Sequence, residues 1–260
     1  MSKIDTSVPH SARIWNYWLG GTDNYEVDRV AGDQYREVFP GIVEIARESR
    51  RFLGRAIRFL ARDAGMRQFL DVGTGLPTAD NTHHVAQRVA PDARVVYVDN
   101  DPLVLMHANA LLTSTPEGET TYVEADLRDP EGILRAAGER LDLDRPVALI
   151  LSGILGHVET VEEARSIVDR LMGGLASGSY LCLNEGTDTD PVYAEAQRAY
   201  NESGAIPYRL RTMEEFRGFF DGLEPVEPGV VSVPLWRPEP SPDDSRPHGI
   251  GQAGGVARKP

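Results

Sequence analysis

The sequence predicts a doubly wound α/β domain on a mostly parallel sheet, preceded by a helical N-terminal segment. Three observations carry that expectation. From residue 67 onward, short apolar runs recur at "QFLDV", "ARVVYVD", "TTYVEAD", "PVALILS" and "GSYLCLNE". Helical patterns fill the gaps between them, at about 78–90, 101–113, 130–138 and 159–175, and strands alternating with helices are the mark of βαβ units. Finally, "VALILS" is apolar almost throughout, as a central strand covered on both faces requires.

Taken in order, residues 1–66 offer no convincing strand. "SARIWNYWLGG" and "GIVEIARESRRFLGRAIRFLARDAG" both repeat apolar residues at helical spacing, and in the second Ile42, Ile45, Phe52, Ile57, Phe59 and Leu60 form the stripe. Gly65 supplies a helix stop. Between the two lies "LGGTDNYEVDR", a turn-rich insert. After the fifth strand, helical stretches are expected near 190–202 and 212–221. Extended pieces follow at "LEPVEPGVVSVPLW" and "GGVARK", separated by the exposed Pro/Ser/Asp-rich loop "RPEPSPDDSRPHGIGQAGG". The expected organisation is a cap or lid over 1–66 and an α/β domain over 67–260, forming one integrated unit.

Composition narrows the function. A chain of 260 residues has room for one large α/β domain or two small ones, with an ample core. Forty acids against 27 bases leave a net charge of −13, which repels nucleic-acid backbones and anionic lipid unless one face is locally basic. The basic candidate is Arg47, Arg50, Arg51, Arg55 and Arg58, of which Arg47, Arg51, Arg55 and Arg58 follow helical spacing and read as a solvated helix face. No run approaches a membrane span, and "MSKIDTSVPHSARIW" lacks the apolar core of a secretory signal, so the expected setting is cytoplasmic. The single cysteine, Cys182, sits in an apolar run and reads as buried and inert.

Chemistry concentrates at the strand ends, where open α/β sheets bind ligands. The first strand ends at Asp71, ahead of Gly73 and Gly75. The second ends at Asp99, about where a ribose-binding acid falls, and the third runs into Asp126. Asp99 suits ribose hydroxyls, Asp126 an exocyclic adenine amine, and Asp71 an ammonium or the turn itself. A dinucleotide turn needs a third glycine, but Pro77 and Thr78 occupy that ground, and no Gly-Lys-Ser/Thr is present for a phosphate loop. Acids without a phosphate-binding cation suit a ligand bearing an ammonium and a sulfonium, which is S-adenosylmethionine. Each acid alone has a structural reading, as a helix cap or as part of a turn needing φ > 0.

Beyond these residues, the chain closely resembles the actinobacterial S-adenosyl methyltransferase family, long carried as a domain of unknown function. The resemblance rests on "SARIWNYWLGGTDNYEVDR", "RQFLDVGTGLPTADNTHHVAQRVAPDARVVYVDNDPLVL", "VEADLRDP", "DRPVALIL", "FFDGLEPVEPGVV" and "GGVARKP". It implies a Rossmann-like, seven-stranded methyltransferase sheet with an antiparallel last strand. It also implies cofactor contacts at Asp71, Gly73, Gly75, Asp99, Asn100, Asp126 and Leu127, to which Thr74 in the turn and Ser152 at the fourth strand end are added. Two departures stand out: Ser49 replaces a common asparagine in "ARENR", and Gln252 and Ala253 stand where a tyrosine usually precedes the final "GGV".

The expected activity is methyl transfer from S-adenosylmethionine to a small molecule. A non-catalytic sensor of that cofactor, an NAD-dependent oxidoreductase and a structural Rossmann-like domain are the alternatives. Methyl transfer is an in-line displacement, so the protein mainly aligns the acceptor, and a base is needed only for an acceptor that loses a proton. Candidates for catalysis are His157, Glu185 and Tyr25. Candidates for a lid or substrate contact are Tyr17, Asp23, Asn24 and Tyr25 on or beside the glycine-bearing insert, with Trp15 and Trp18 able to line an acceptor pocket. His83 and His84 are helical neighbours whose side chains should diverge, and no metal-ligand spacing occurs.

Overall fold

The computed structural model describes residues 5–76, 80–101, 103–104, 106, 114–202, 206–240 and 246–260. Five parallel strands, β1 (Gln68–Val72), β2 (Arg94–Asp99), β3 (Glu119–Glu124), β4 (Ala148–Ser152) and β5 (Tyr180–Gly186), form most of one sheet. Three further strands close it: β6 (Glu224–Pro225), β7 (Val231–Ser232) and the antiparallel β8 (Gln252–Arg258). The order is β3-β2-β1-β4-β5-β8-β6, with β7 also on β8. Strand order therefore reverses between β1 and β4, which places a ligand crevice at their carboxyl ends.

Among the described residues the sheet has eight strands rather than seven because one edge is interrupted. β6 and β7 both pair with β8, and Val226 donates to Val256 between them. Pro228 and Gly229 break the run, since proline has no ladder donor and Gly229 takes a left-handed φ of +82°.

Helices cover both faces: α1 (Ser11–Trp18), α2 (Glu26–Val38), α3 (Ile42–Arg62), α4 (Thr82–Val89), α5 (Pro130–Ala137), α6 (Val161–Gly173), α7 (Pro191–Glu202) and α8 (Met213–Gly218). Much of the pattern expected over 101–113 falls on residues outside those described. Helix starts follow local chemistry. Asp129 caps α5 with Pro130 in its first turn, Thr160 caps α6, and Thr212 with Glu215 forms a capping box on α8.

Helix α2 begins within the stretch whose sequence reads as a turn-rich insert. The turn-rich insert stops at Tyr25, and Asp28 reaches back to accept from the Tyr25 N–H at 2.9 Å. The same buried carboxylate accepts from the His10 N–H and pairs with buried Arg13, whose guanidinium also holds the carbonyls of Asp5 and Val8. This junction fixes α1 against α2.

Helix α3 joins both parts of the molecule. Its Ile42, Ile45 and Ala46 pack with Ile14, Trp18 and Tyr35 of α1 and α2 and with Tyr193 and Ala196 of α7. Its Phe52, Ala56, Ile57 and Leu60 share a core with Phe69, Val95, Tyr97, Ile150 and Cys182 of the sheet. The arginine stripe is correspondingly not a plain solvated face. Arg55 donates to the carbonyls of Trp236 and Val233, Arg58 pairs with Glu239, and Arg50 turns inward.

Ser49 and Gln252, the two positions at which the resemblance implies other residues, meet in one place. The Ser49 hydroxyl accepts from Asn184 Nδ2 at 2.7 Å and from Gln252 Nε2 at 3.2 Å, and all three residues are buried. Among the described residues, no helix is long and apolar enough to cross a membrane.

Candidate active site

A cavity of about 590 Å³ opens at the carboxyl ends of β1, β2, β3 and β4, within the range of about 300–1,000 Å³ usual for ligand sites. Asp71, Gly73, Thr74, Gly75, Asp99, Asn100, Asp126, Leu127 and Ser152 all line it. The turn after β1 needs its glycines. Gly73 and Gly75 have φ of +78° and +63°, and a Cβ on Gly73 would lie 2.4 Å from the Ile154 side chain. Pro77 and Thr78 lie outside the described residues.

The acids differ in environment. Asp71 is buried, and its Oδ2 accepts from the Thr82 hydroxyl at 2.5 Å. Burial pushes its carboxyl up to about 6, against the opposing pull of Thr82 and of Arg50. Asp99 Oδ2 accepts from the Gly75 N–H at 2.8 Å, and its Oδ1 from Asn100 and Asp101 at 2.9 and 3.0 Å. Burial raises this carboxyl as well. Three of its roughly four lone-pair sites are thus engaged. One remains for an incoming hydroxyl, and a second hydroxyl requires the Gly75 N–H to yield. Asp126 lies two residues beyond β3, is exposed, and accepts from the Arg128 N–H at 2.8 Å.

Helix α1 roofs the cavity with Ile14, Trp15, Asn16 and Trp18, and α2 and α7 add Tyr35, Tyr193 and Tyr200. The residues singled out on the insert are not on its wall. Tyr17 donates to Asp33 at 2.9 Å. The Asp23 N–H and Asn24 Nδ2 both donate to Asn16 Oδ1, so the loop is tied to α1 rather than laid over the opening. Tyr25 begins α2 and stacks under the Arg13 guanidinium, 5.3 Å from the ring centre.

His157, in the short 3₁₀ turn Leu155–His157 after β4, does line the cavity. Its Nδ1 lies 2.9 Å from the Pro207 carbonyl oxygen, which can only accept, so the ring proton sits on Nδ1 and Nε2 carries the lone pair. Burial lowers its basicity, which keeps the ring neutral near pH 7. The Tyr208 ring meets it edge-on at 5.3 Å.

Glu185 is fully buried and lies off the cavity wall. Its Oε1 accepts from Leu155 at 2.7 Å, and its Oε2 from Gly156 at 3.1 Å and from the Tyr208 hydroxyl at 2.5 Å. Burial pushes it up to about 7. Its hydrogen bonds clamp the two segments that carry His157 and Pro207.

His83 and His84 do not diverge as expected: their ring centres are 3.9 Å apart, because the buried His83 ring is drawn onto the Tyr97 hydroxyl. Among the described residues, no group of three or more His, Cys, Asp or Glu is placed to hold a metal. The Cys182 thiol is buried and its ionisation is pushed up by that burial.

A family model described as S-adenosyl methyltransferase matches residues 1–260. Among solved structures, a DUF574 family protein from Streptomyces avermitilis is 48% identical over 99% of this chain and 100% of its own, with a TM-score of 0.92. A candidate methyltransferase from Thermobifida fusca is 43% identical over 98% of this chain and 96% of its own, with a TM-score of 0.90. A SAM-dependent methyltransferase from Anabaena variabilis, at 16% identity and a TM-score of 0.52 over 100% of this chain and 99% of its own, shares the fold alone. No curated protein matches the chain.

Proposed function

We propose how this chain, which belongs to the S-adenosyl methyltransferase family, holds its cofactor and what it methylates. The protein is an S-adenosylmethionine-dependent methyltransferase. In our reading the acceptor is a small molecule, bound in the aromatic end of the strand-end cavity in a cytoplasmic setting, with no nucleic-acid partner. The enclosing roof of α1 and the chain's net charge of −13 support that choice over a polymer.

The observation that carries the cofactor assignment is the convergence of Asp71, Asp99 and Asp126, from three successive strands, on one cavity. Asp71 takes the ammonium, Asp99 a ribose hydroxyl, and Asp126 with Leu127 the adenine edge and face. Gly73, Thr74, Gly75, Asn100 and Ser152 shape the wall between them. The bound cofactor supplies an electrophilic methyl group on sulfur. The chain's own part is to align the acceptor among Trp15, Trp18 and Tyr200, to exclude water beneath α1, and to receive a proton at His157 Nε2 when the acceptor is a hydroxyl.

Calorimetry with S-adenosylmethionine, its demethylated product S-adenosylhomocysteine and NAD tests the cofactor reading. Binding of both sulfur compounds and not NAD is expected; binding of NAD alone overturns it. Transfer of a labelled methyl group into an extract of small metabolites separates an enzyme from a sensor. No labelled product across a broad panel would favour the sensor.

A further inference from the structure

Arg50 is the charged group of the cavity that the strand-end acids leave unexplained. It projects from the middle of α3 into the wall beside Asp71. Its only hydrogen bond among the described residues is a long one, from Nη2 to the Asp80 carbonyl at 3.3 Å. No carboxylate among them lies within ion-pairing distance of it. The other arginines of the wall are engaged: Arg128 pairs with Asp126 and Glu163 and also donates to the His157 carbonyl, and Arg209 pairs with Glu159. Its guanidinium, partly exposed, holds five donors in a fixed fork with one weak partner, so a planar anion entering the cavity finds most of them available. Asp71 is the complementary case, since the Thr82 hydroxyl is its one side-chain partner among the described residues.

A cation and an anion that line one cavity without satisfying each other are the imprint of a zwitterion. We propose that Arg50 receives the carboxylate of the cofactor's amino-acid tail while Asp71 receives its ammonium, so that the pair selects donors with an intact α-amino acid. This rests on the cofactor reading above. A guanidinium fork matches a carboxylate through two parallel hydrogen bonds, which a lysine cannot reproduce.

The test measures dissociation constants, by calorimetry, for S-adenosylmethionine, its decarboxylated analogue (which keeps the amine) and methylthioadenosine (which lacks the whole tail). The wild type should favour S-adenosylmethionine over the decarboxylated analogue by roughly 10- to 100-fold, the worth of hydrogen bonds to a charged group. Arg50→Met should remove that preference and leave methylthioadenosine binding unchanged, which also shows that the variant is folded. Arg50→Lys should recover part of it. Equal weakening of all three ligands by Arg50→Met, or none, overturns the proposal and makes Arg50 a structural tie to Asp80. Failure of the wild type to bind S-adenosylmethionine or methylthioadenosine would instead overturn the cofactor reading itself.

Discussion

If Asp71 binds the cofactor's ammonium, affinity must fall in mildly acidic solution, well above the range where an ordinary aspartate titrates. Burial lifts its carboxyl to about 6, and only the ionised form can accept from an ammonium. With one titrating group at that value, about ten molecules in eleven are ionised at pH 7 and about one in eleven at pH 5, a ratio of about tenfold or about 1.4 kcal/mol. Binding is therefore strongest above pH 7 and weakens as pH falls through 6. Arg50 from α3, Asp99 from β2 and Thr82 from α4 face the same carboxylate, and of these Asp99 also titrates upward. The assay must separate the two acids. S-adenosylhomocysteine meets both, whereas methylthioadenosine meets Asp99 without the ammonium contact. Calorimetric titrations from pH 5 to 8 should show a steeper loss for S-adenosylhomocysteine, and Asp71→Asn should bring the two slopes together. Parallel slopes in the wild type would refute an ammonium at Asp71.

Other perturbations follow from the same geometry. Asp99→Ala should weaken S-adenosylhomocysteine by about 1.5–3 kcal/mol, the loss of a charged hydrogen bond, and calorimetry finding no change would remove its ribose role. His157→Gln should lower kcat for a hydroxyl acceptor by about 10²–10⁴ with S-adenosylhomocysteine affinity unchanged; an unaltered kcat would assign the proton elsewhere. Asp28→Ala strands the buried Arg13 charge and should cost about 3–5 kcal/mol in urea unfolding, whereas a loss below 1 kcal/mol would mean the α1–α2 junction relaxes around the cut. For Glu185, burial raises the folded-state value from 4.5 to about 7, so the native state keeps a proton that the unfolded chain releases. Its contribution to stability therefore shrinks as pH rises from about 5 to 7, and Glu185→Gln should flatten that part of the melting-temperature profile. An identical profile in the variant would place the titration on another group.

The fold and the acids were legible because they follow local rules. A strand end, a left-handed glycine and an acid two or three residues away are all encoded within a dozen residues, and the parallel strands occur where apolar runs alternate with helical patterns. Less legible was anything decided by what a helix packs against. Arg55 and Arg58 share the spacing of Arg47 and Arg51, yet one ties down the backbone at Trp236 and one pairs with Glu239, while Arg50, off that stripe, enters the cavity. Periodicity identifies a face and says nothing of what covers it. Glu185 misled for a related reason: its place at a strand end suggested chemistry, but its oxygens are spent on Leu155, Gly156 and Tyr208, partners up to 30 residues away. Tyr25, Asp23 and Asn24 looked like a lid because the insert is polar and glycine-bearing. Asn16, one turn before it, takes up its amides and leaves α1 itself as the roof.

That roof explains why the N-terminal helices belong to the site rather than decorate it. A class of enzyme whose cofactor carries the reactive group needs its protein chiefly for enclosure and alignment, and the strand ends alone give a crevice open on one side. Here α3 supplies two services from one element: its Phe52, Ile57 and Leu60 are sheet core, while Arg50 and Leu53 are cavity wall. Helices α1 and α2 are then held over the opening by the Arg13–Asp28 junction and by Tyr35, whose hydroxyl donates to Gln197 of α7 at 2.8 Å. Entry of a ligand must accordingly move α1 and α2 together or pass beside them, since loosening either one breaks a buried polar contact. The Ser49–Asn184–Gln252 cluster ties the same helix α3 to β5 and β8. Substitutions at 49 and 252 are thus expected to be coupled: Ser49→Ala leaves the buried amides of Asn184 and Gln252 without an acceptor, whereas Ser49→Ala with Gln252→Leu removes one of those orphans. A double-mutant cycle by urea unfolding should return a coupling of about 1 kcal/mol or more, and strict additivity would mean that Ser49 and Gln252 contribute to stability independently.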